Sequence, residues 1–327
     1  MHSLYAQLTV AKSPRIYHFS ITDRFLVSTG ELLIPSLIRL CKPISPTHSL
    51  TLRVWAKLLD QKHTKGRGAS KRPGFFFKAM IFVLISLMSP AAMAGQITVA
   101  TASNFLHSLK ALQQPFAKQT GHRISIVVGS SGALATQIIN GAPFDVFLSA
   151  DQARSRQLID KGAGDETSLM TYAHGKLTLW SNDKTLIANG DGPAILKSGA
   201  FHHLAIANPK LAPYGLAAVG TLQSLGLHSG LENKIIYGEN IAQTFTMLAT
   251  GAAPIGFAAR SQLARDPWKS KGSFWHVPDN MHLPIKQDAV IVKHSSNKKA
   301  ARQFLDFLKS APATAIIRSF GYGTEKP

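Results

Sequence analysis

The chain has 327 residues, of which 45% are hydrophobic and 16% charged, enough apolar content for two domains of ordinary size with cores of their own. A formal net charge of +19 points first to nucleic acid, but residues 1–94 hold 13 Lys and Arg against 3 Asp and Glu, and the remaining basic residues are scattered singly. No basic stripe interleaved with aromatic residues accompanies them, which excludes nucleic acid as the expected partner.

The cause of the asymmetry lies at residues 71–95, "KRPGFFFKAMIFVLISLMSPAAMAG". Lys71, Arg72 and Lys78 precede an apolar run from Met80 to Met88, and Ala92-Met93-Ala94 forms a small-x-small end suited to a signal peptidase. The competing reading is a membrane anchor, but the apolar stretch falls well short of the ~20 residues a span requires. Cleavage is expected after Ala94. Residues 1–70 show no persistent period, and they read as an extension that is not native to the mature protein or is removed with the signal. The single cysteine, Cys41, falls in that segment, so the mature chain is expected to carry no disulfide, thiolate metal site or lipid-bearing cysteine.

From Gln96 onward strand and helix patterns alternate. "QITVATA" (96–102) reads as a strand, Ser103-Asn104 as a cap, and Phe105, Leu106, Leu109, Leu112 and Phe116 as the buried stripe of a helix stopped at Gly121. "RISIVVG" (123–129), a helix from Ser131 to Asn140, "FDVFLSA" (144–150) and a helix capped by Asp151 continue the pattern, whose βαβαβ order implies a parallel sheet. A second set follows: strands at 176–181, 203–208, 234–238, 254–259 and 273–278, with helices from about Tyr214 and Ile241. The strand at 288–293 and helices at 297–310 and 312–320 are expected to return to the first unit, giving two lobes joined by a paired hinge.

Catalytic patterns are absent from the sequence. Gly129-Ser130-Ser131-Gly132-Ala133 breaks the G-x-S-x-G nucleophile elbow at its last position, and there is no P-loop and no H-E-x-x-H. No acid/base carboxylate pair is evident, so a serine-dependent hydrolase or transferase is the weaker alternative and the protein is expected not to be an enzyme. What stands out is a set of small polar residues at strand-to-helix junctions: Ser103, Ser131, Tyr214-Gly215 and Ile241. Each serine alone could be an ordinary helix cap. Several helix N-termini converging beyond the carboxyl ends of strands would instead make an anion site without any cation.

The segments "ITVATASN", "VVGSSGALATQIINGAPFDVFLSAD", "ANPKLAPYGLAA", "GENIAQTF" and "GAAPIGFAARSQ", in this order, resemble the periplasmic molybdate-binding proteins of ABC importers over roughly Gln96 to Gly323. The resemblance implies a two-lobed periplasmic-binding-protein-like fold of type II, each lobe a mixed, mostly parallel α/β sheet flanked by helices, with boundaries at 95–178 plus about 285–327 and about 179–284. It implies an exported, periplasmic, monomeric protein that binds molybdate or tungstate and delivers it to a membrane ABC permease, with no resident cofactor; sulfate or another oxyanion is the alternative ligand. By position, the family's serine ligands fall on Ser103 and Ser131, and its main-chain donors on Tyr214 and Ile241. Molybdenum would be held as molybdate through the same residues. One departure stands out: where some members carry a ligand tyrosine, this chain has Ala259. The fifth donor is then open, with Tyr214, Arg260 or water as candidates.

Overall fold

The computed structural model describes residues 95–325; the expected signal segment, the residues before it and Cys41 lie outside the described residues. The first sheet is built from β1 (Gln96–Ala102), β2 (Arg123–Gly129), β3 (Val146–Leu148), β4 (Gly164–Gly175) and β10 (Ile285–Val292), in the order β2-β1-β3-β10-β4. The second contains β5 (Leu177–Ser181), β6 (Leu204–Ala207), β7 (Ile235–Gly238), β8 (Ile255–Ala259) and β9 (Ser273–His276), in the order β7-β6-β8-β5-β9.

The inner strands β1, β3, β5, β6, β8 and β10 are buried on both faces, which is why they read as nearly continuous apolar runs. In β1 Ile97 and Val99 face one core while Ala100 faces the other, and in β10 Ala289 and Ile291 alternate with Val290 and Val292. The first face of this sheet is covered by α1 (Leu106–Thr120), α9 (Lys298–Lys309) and α10 (Ala311–Ser319), the second by α2 (Ser131–Ile139) and α3 (Gln152–Asp160). The second sheet alternates likewise, with Leu177 and Leu179 of β5 on one side and Trp180 on the other. Its principal helices are α5 (Pro213–Ser224) and α7 (Ile241–Ala249); α4 (Gly192–Ser198), α6 (His228–Leu231) and α8 (Arg260–Leu263) are shorter.

One strand in each sheet opposes its neighbours: β10 pairs antiparallel with β3 and β4, and β5 with β8 and β9. Chain connection explains both. The parallel strands β1, β2 and β3 end where the two sheets meet, as do β6, β7 and β8, so a strand that enters a lobe from that junction must run the other way. β5 enters the second lobe after Lys176, and β10 re-enters the first. Leu177 and Thr178, expected to close the first lobe, are therefore the first residues of the second sheet: they pair with Ala259 and Ala258. β4, a twelve-residue strand on the sheet edge, was not anticipated, because its sequence is polar and weakly alternating.

Candidate functional site

Four junctions meet between the lobes. Ser103 follows β1, Ser131 begins α2, Tyr214 is the second residue of α5 and Ile241 the first of α7. All four line one small cavity together with Ala102, Asn104, Gly129, Ser130, Ala150, Ala212, Pro213 and Asn240. Its free volume, about 10 Å3, lies far below the ~300–1,000 Å3 of sites that take drug-sized organic ligands. No lining residue carries a formal charge, and burial raises the phenol of Tyr214 well above its ordinary pKa, so it stays neutral.

The first turns of the helices account for which donors face the cavity. In α7 the Asn240 side chain accepts from the N–H groups of Ala242 (3.0 Å) and Gln243 (3.1 Å), which leaves that of Ile241 without a cap. In α2 the N–H of Gly132 goes to Leu211 O (3.0 Å) and that of Ala133 to Ser130 Oγ (3.4 Å), so Ser130 is the cap and Ser131 is left to the cavity. α5 has no side-chain cap at Ala212, and Pro213 supplies no N–H; Tyr214 is its first donor. Gly215 lets this turn sit against β6, since a Cβ there would lie 2.0 Å from Ala207 O.

The two serines are oriented by bonds that they accept. Ser131 Oγ receives the N–H of Ala150 at 3.0 Å, and Ser103 Oγ receives that of Ala242 at 3.3 Å across the lobes. Among the described residues neither hydroxyl donates to a protein group, so each keeps its hydrogen for an acceptor in the cavity. Neither is bonded to a histidine or carboxylate there. Also among the described residues, no group of three or more His, Cys, Asp or Glu is placed to hold a bare metal ion.

Two of the residues considered for a fifth donor lie elsewhere. The N–H of Ala259 is taken by Gln262 Oε1 (2.9 Å) and that of Arg260 by Lys176 O (2.9 Å), and neither residue lines the cavity. The Tyr214 hydroxyl accepts from Gln287 Nε2 (3.2 Å), and the main-chain N–H of Tyr214 is the donor that the start of α5 offers to the cavity. Asn104, read from the sequence only as part of a cap, does line the cavity; it is 2% exposed, and its Oδ1 is buried with no partner in the protein. The "SN" after an apolar strand was the available signal, and local capping explained it equally well.

The profile of the bacterial extracellular solute-binding proteins matches residues 97–323. The chain belongs to this family. Among curated relatives, the solute-binding protein is 44% identical to the molybdate-binding protein ModA of Rhodobacter capsulatus, over 74% of this chain and 94% of that one. It is 43% identical to ModA of Azotobacter vinelandii, over 73% and 94%. A solved structure, the periplasmic molybdate-binding protein of Azotobacter vinelandii, superposes on it with a TM-score of 0.68 at 41% identity, covering 70% of this chain and all of that one. Its two mixed sheets flanked by helices are those of the type II periplasmic binding proteins.

Proposed function

We propose that this solute-binding protein captures molybdate, and tungstate with it, and delivers the anion to the membrane permease of an ABC importer. The observation that carries the reading is the convergence of donors from both lobes on one small, uncharged cavity. Relatives above 40% identity that are named for molybdate support the choice of anion. In this reading the hydroxyls of Ser103 and Ser131 and the N–H groups of Tyr214 and Ile241 donate to the oxygens. Asn104, through its main-chain N–H at the start of the turn after β1, supplies the fifth contact that Ala259 and Arg260 do not. The metal enters as its oxyanion, so hydrogen bonds and helix dipoles balance its charge and no ligand bond to molybdenum forms.

The closing units are the two lobes, residues 95–176 with about 285 onward, and about 177–284. Closure buries the anion and presents one joined surface to the permease. The protein works as a monomer in the periplasm, exported by the segment 71–94 and cleaved after Ala94; the intact mass of the exported form checks this, since retention of residues 1–70 would contradict it.

Titration calorimetry of the exported protein with molybdate, tungstate and sulfate tests the assignment. Sulfate has the same shape and charge but shorter bonds to oxygen, so donors on rigid helix ends cannot all reach it, and each lost contact removes about 1.5–3 kcal/mol. Molybdate and tungstate are expected to bind orders of magnitude tighter than sulfate. Equal affinity for sulfate would overturn the choice of anion.

A further inference from the structure

Behind the cavity wall, where the chain crosses between lobes, lies a buried polar cluster with no charged member. Its centre is Gln287 on β10, which is 0% exposed. Gln287 Oε1 accepts from Asn104 Nδ2 (2.9 Å) and from the Tyr172 hydroxyl (3.0 Å), while its Nε2 donates to the Tyr214 hydroxyl (3.2 Å). Asn104 and Tyr172 belong to the first lobe and Tyr214 to the second. A single amide thus joins two residues of the cavity wall that stand on opposite lobes.

The surroundings reinforce that link. Tyr322 Oη lies 2.8 Å from Asn104 O and 3.0 Å from Ser261 Oγ, and the Ser261 hydroxyl donates to Asn104 O at 3.0 Å, again from the second lobe. The contact also needs an empty place in the backbone. A Cβ on Gly175, the last residue of β4, would lie 2.3 Å from Tyr214 Oη and 2.7 Å from Gln287 Nε2. Gly175 is not among the glycines with positive φ, so space rather than backbone conformation is what calls for glycine there. Burial raises the pKa of Tyr172, Tyr214 and Tyr322, which keeps the whole cluster neutral and its bonds unchanged over the working pH range.

We propose that Gln287 is a positioning residue for anion selectivity: without touching the anion, its amide ties Tyr214 of one lobe to Asn104 of the other and so sets the spacing between the two groups of donors. A looser spacing lets the donors move in toward a smaller anion. The inference rests on the oxyanion reading above, and the test separates the two.

The full exported protein and its Gln287→Met and Tyr214→Phe variants are titrated with molybdate and with sulfate, and melting temperatures are recorded without ligand. Gln287→Met keeps the volume and removes three hydrogen bonds; Tyr214→Phe removes only the cross-lobe hydroxyl and keeps the main-chain N–H at the cavity. Both are expected to lose about tenfold in molybdate affinity and to hold or gain affinity for sulfate, so that the ratio of the two falls. Because they break one shared bond, the double variant should lose no more selectivity than the worse single one. An unchanged ratio in Tyr214→Phe, or equal losses for both anions that follow the drop in melting temperature, would overturn the positioning role and reduce the cluster to a structural one. If the parent binds neither anion, the oxyanion reading itself falls and this inference with it.

Discussion

Ser103 and Ser131 each accept one main-chain N–H and keep a hydroxyl hydrogen for the cavity. A hydrogen bond to a charged group is worth about 1.5–3 kcal/mol, so Ser103→Ala and Ser131→Ala are each expected to weaken molybdate binding by roughly ten- to a hundredfold, read by calorimetry, with little change in melting temperature. An affinity equal to the parent's would remove that serine from the site. Since Tyr214 is the one titratable lining residue and burial pushes its phenol up, molybdate affinity should stay flat between about pH 6 and 9. Asp288, beside the cluster on β10, behaves differently. It is 2% exposed, and burial raises its carboxyl above the usual range, even though Thr171 Oγ1 donates to it at 2.7 Å. A raised acid favours the fold fully below the unfolded value of about 3.9, and that contribution is lost as pH rises through the folded value. At neutral pH the carboxylate is a cost, and Asp288→Asn should raise the melting temperature at pH 7 but not near pH 3.

At the scale of elements, some helix ends were legible because capping is local: Asp151 accepts the Arg154 N–H at 2.9 Å as the sequence suggested, and Gly121 closes α1 in the left-handed conformation. Ser103-Asn104, read as the cap of α1, instead forms a 3-10 turn before it and makes no side-chain cap. β4 was not legible, because an edge strand with one antiparallel partner needs no strong apolar alternation. The first turns of α2 and α3 also grip the loop before α5, with the N–H of Gly132 on Leu211 O and Arg154 Nη2 on Lys210 O at 3.0 Å. These bonds bridge the lobes, so opening the cleft must break them. Arg154→Ala should speed molybdate release a few-fold in stopped-flow chase, with the association rate unchanged, since the exposed contact is worth about 1 kcal/mol or less. Gly132→Ala should cost more, because its Cβ would stand 3.1 Å from Leu211 O and hold the lobes apart by tenths of an ångström. A release rate equal to the parent's in both variants would show that this contact does not limit opening.

Over the whole molecule, the two-lobed plan follows from chain connection: each lobe has one strand that leaves the junction and must oppose its neighbours, and every other strand end is free to present donors there. The alternating pattern from Gln96 made most of that legible, and the junction residues Ser103, Ser131, Tyr214 and Ile241 could be named because each sits at a local strand-to-helix signal. The cluster around Gln287 could not be named. Its bonds to Asn104 join residues 183 positions apart, and that of Tyr322 to Asn104 spans 218, distances over which no local pattern carries information. The place of Asn104 on the cavity wall was missed for the same reason, since only the folded chain separates it from Ala259 and Arg260, which do not line the cavity. Whether both lobes donate to one oxyanion is read most directly from a crystal structure of the molybdate-soaked or co-purified protein with anomalous data collected at a wavelength where molybdenum scatters strongly. One dominant anomalous peak is expected between the lobes, ringed by oxygens within hydrogen-bond distance of the Ser103 and Ser131 hydroxyls and the main-chain N–H groups of Tyr214 and Ile241. A dominant peak outside that cavity, or one held by a single lobe in the closed protein, would contradict it.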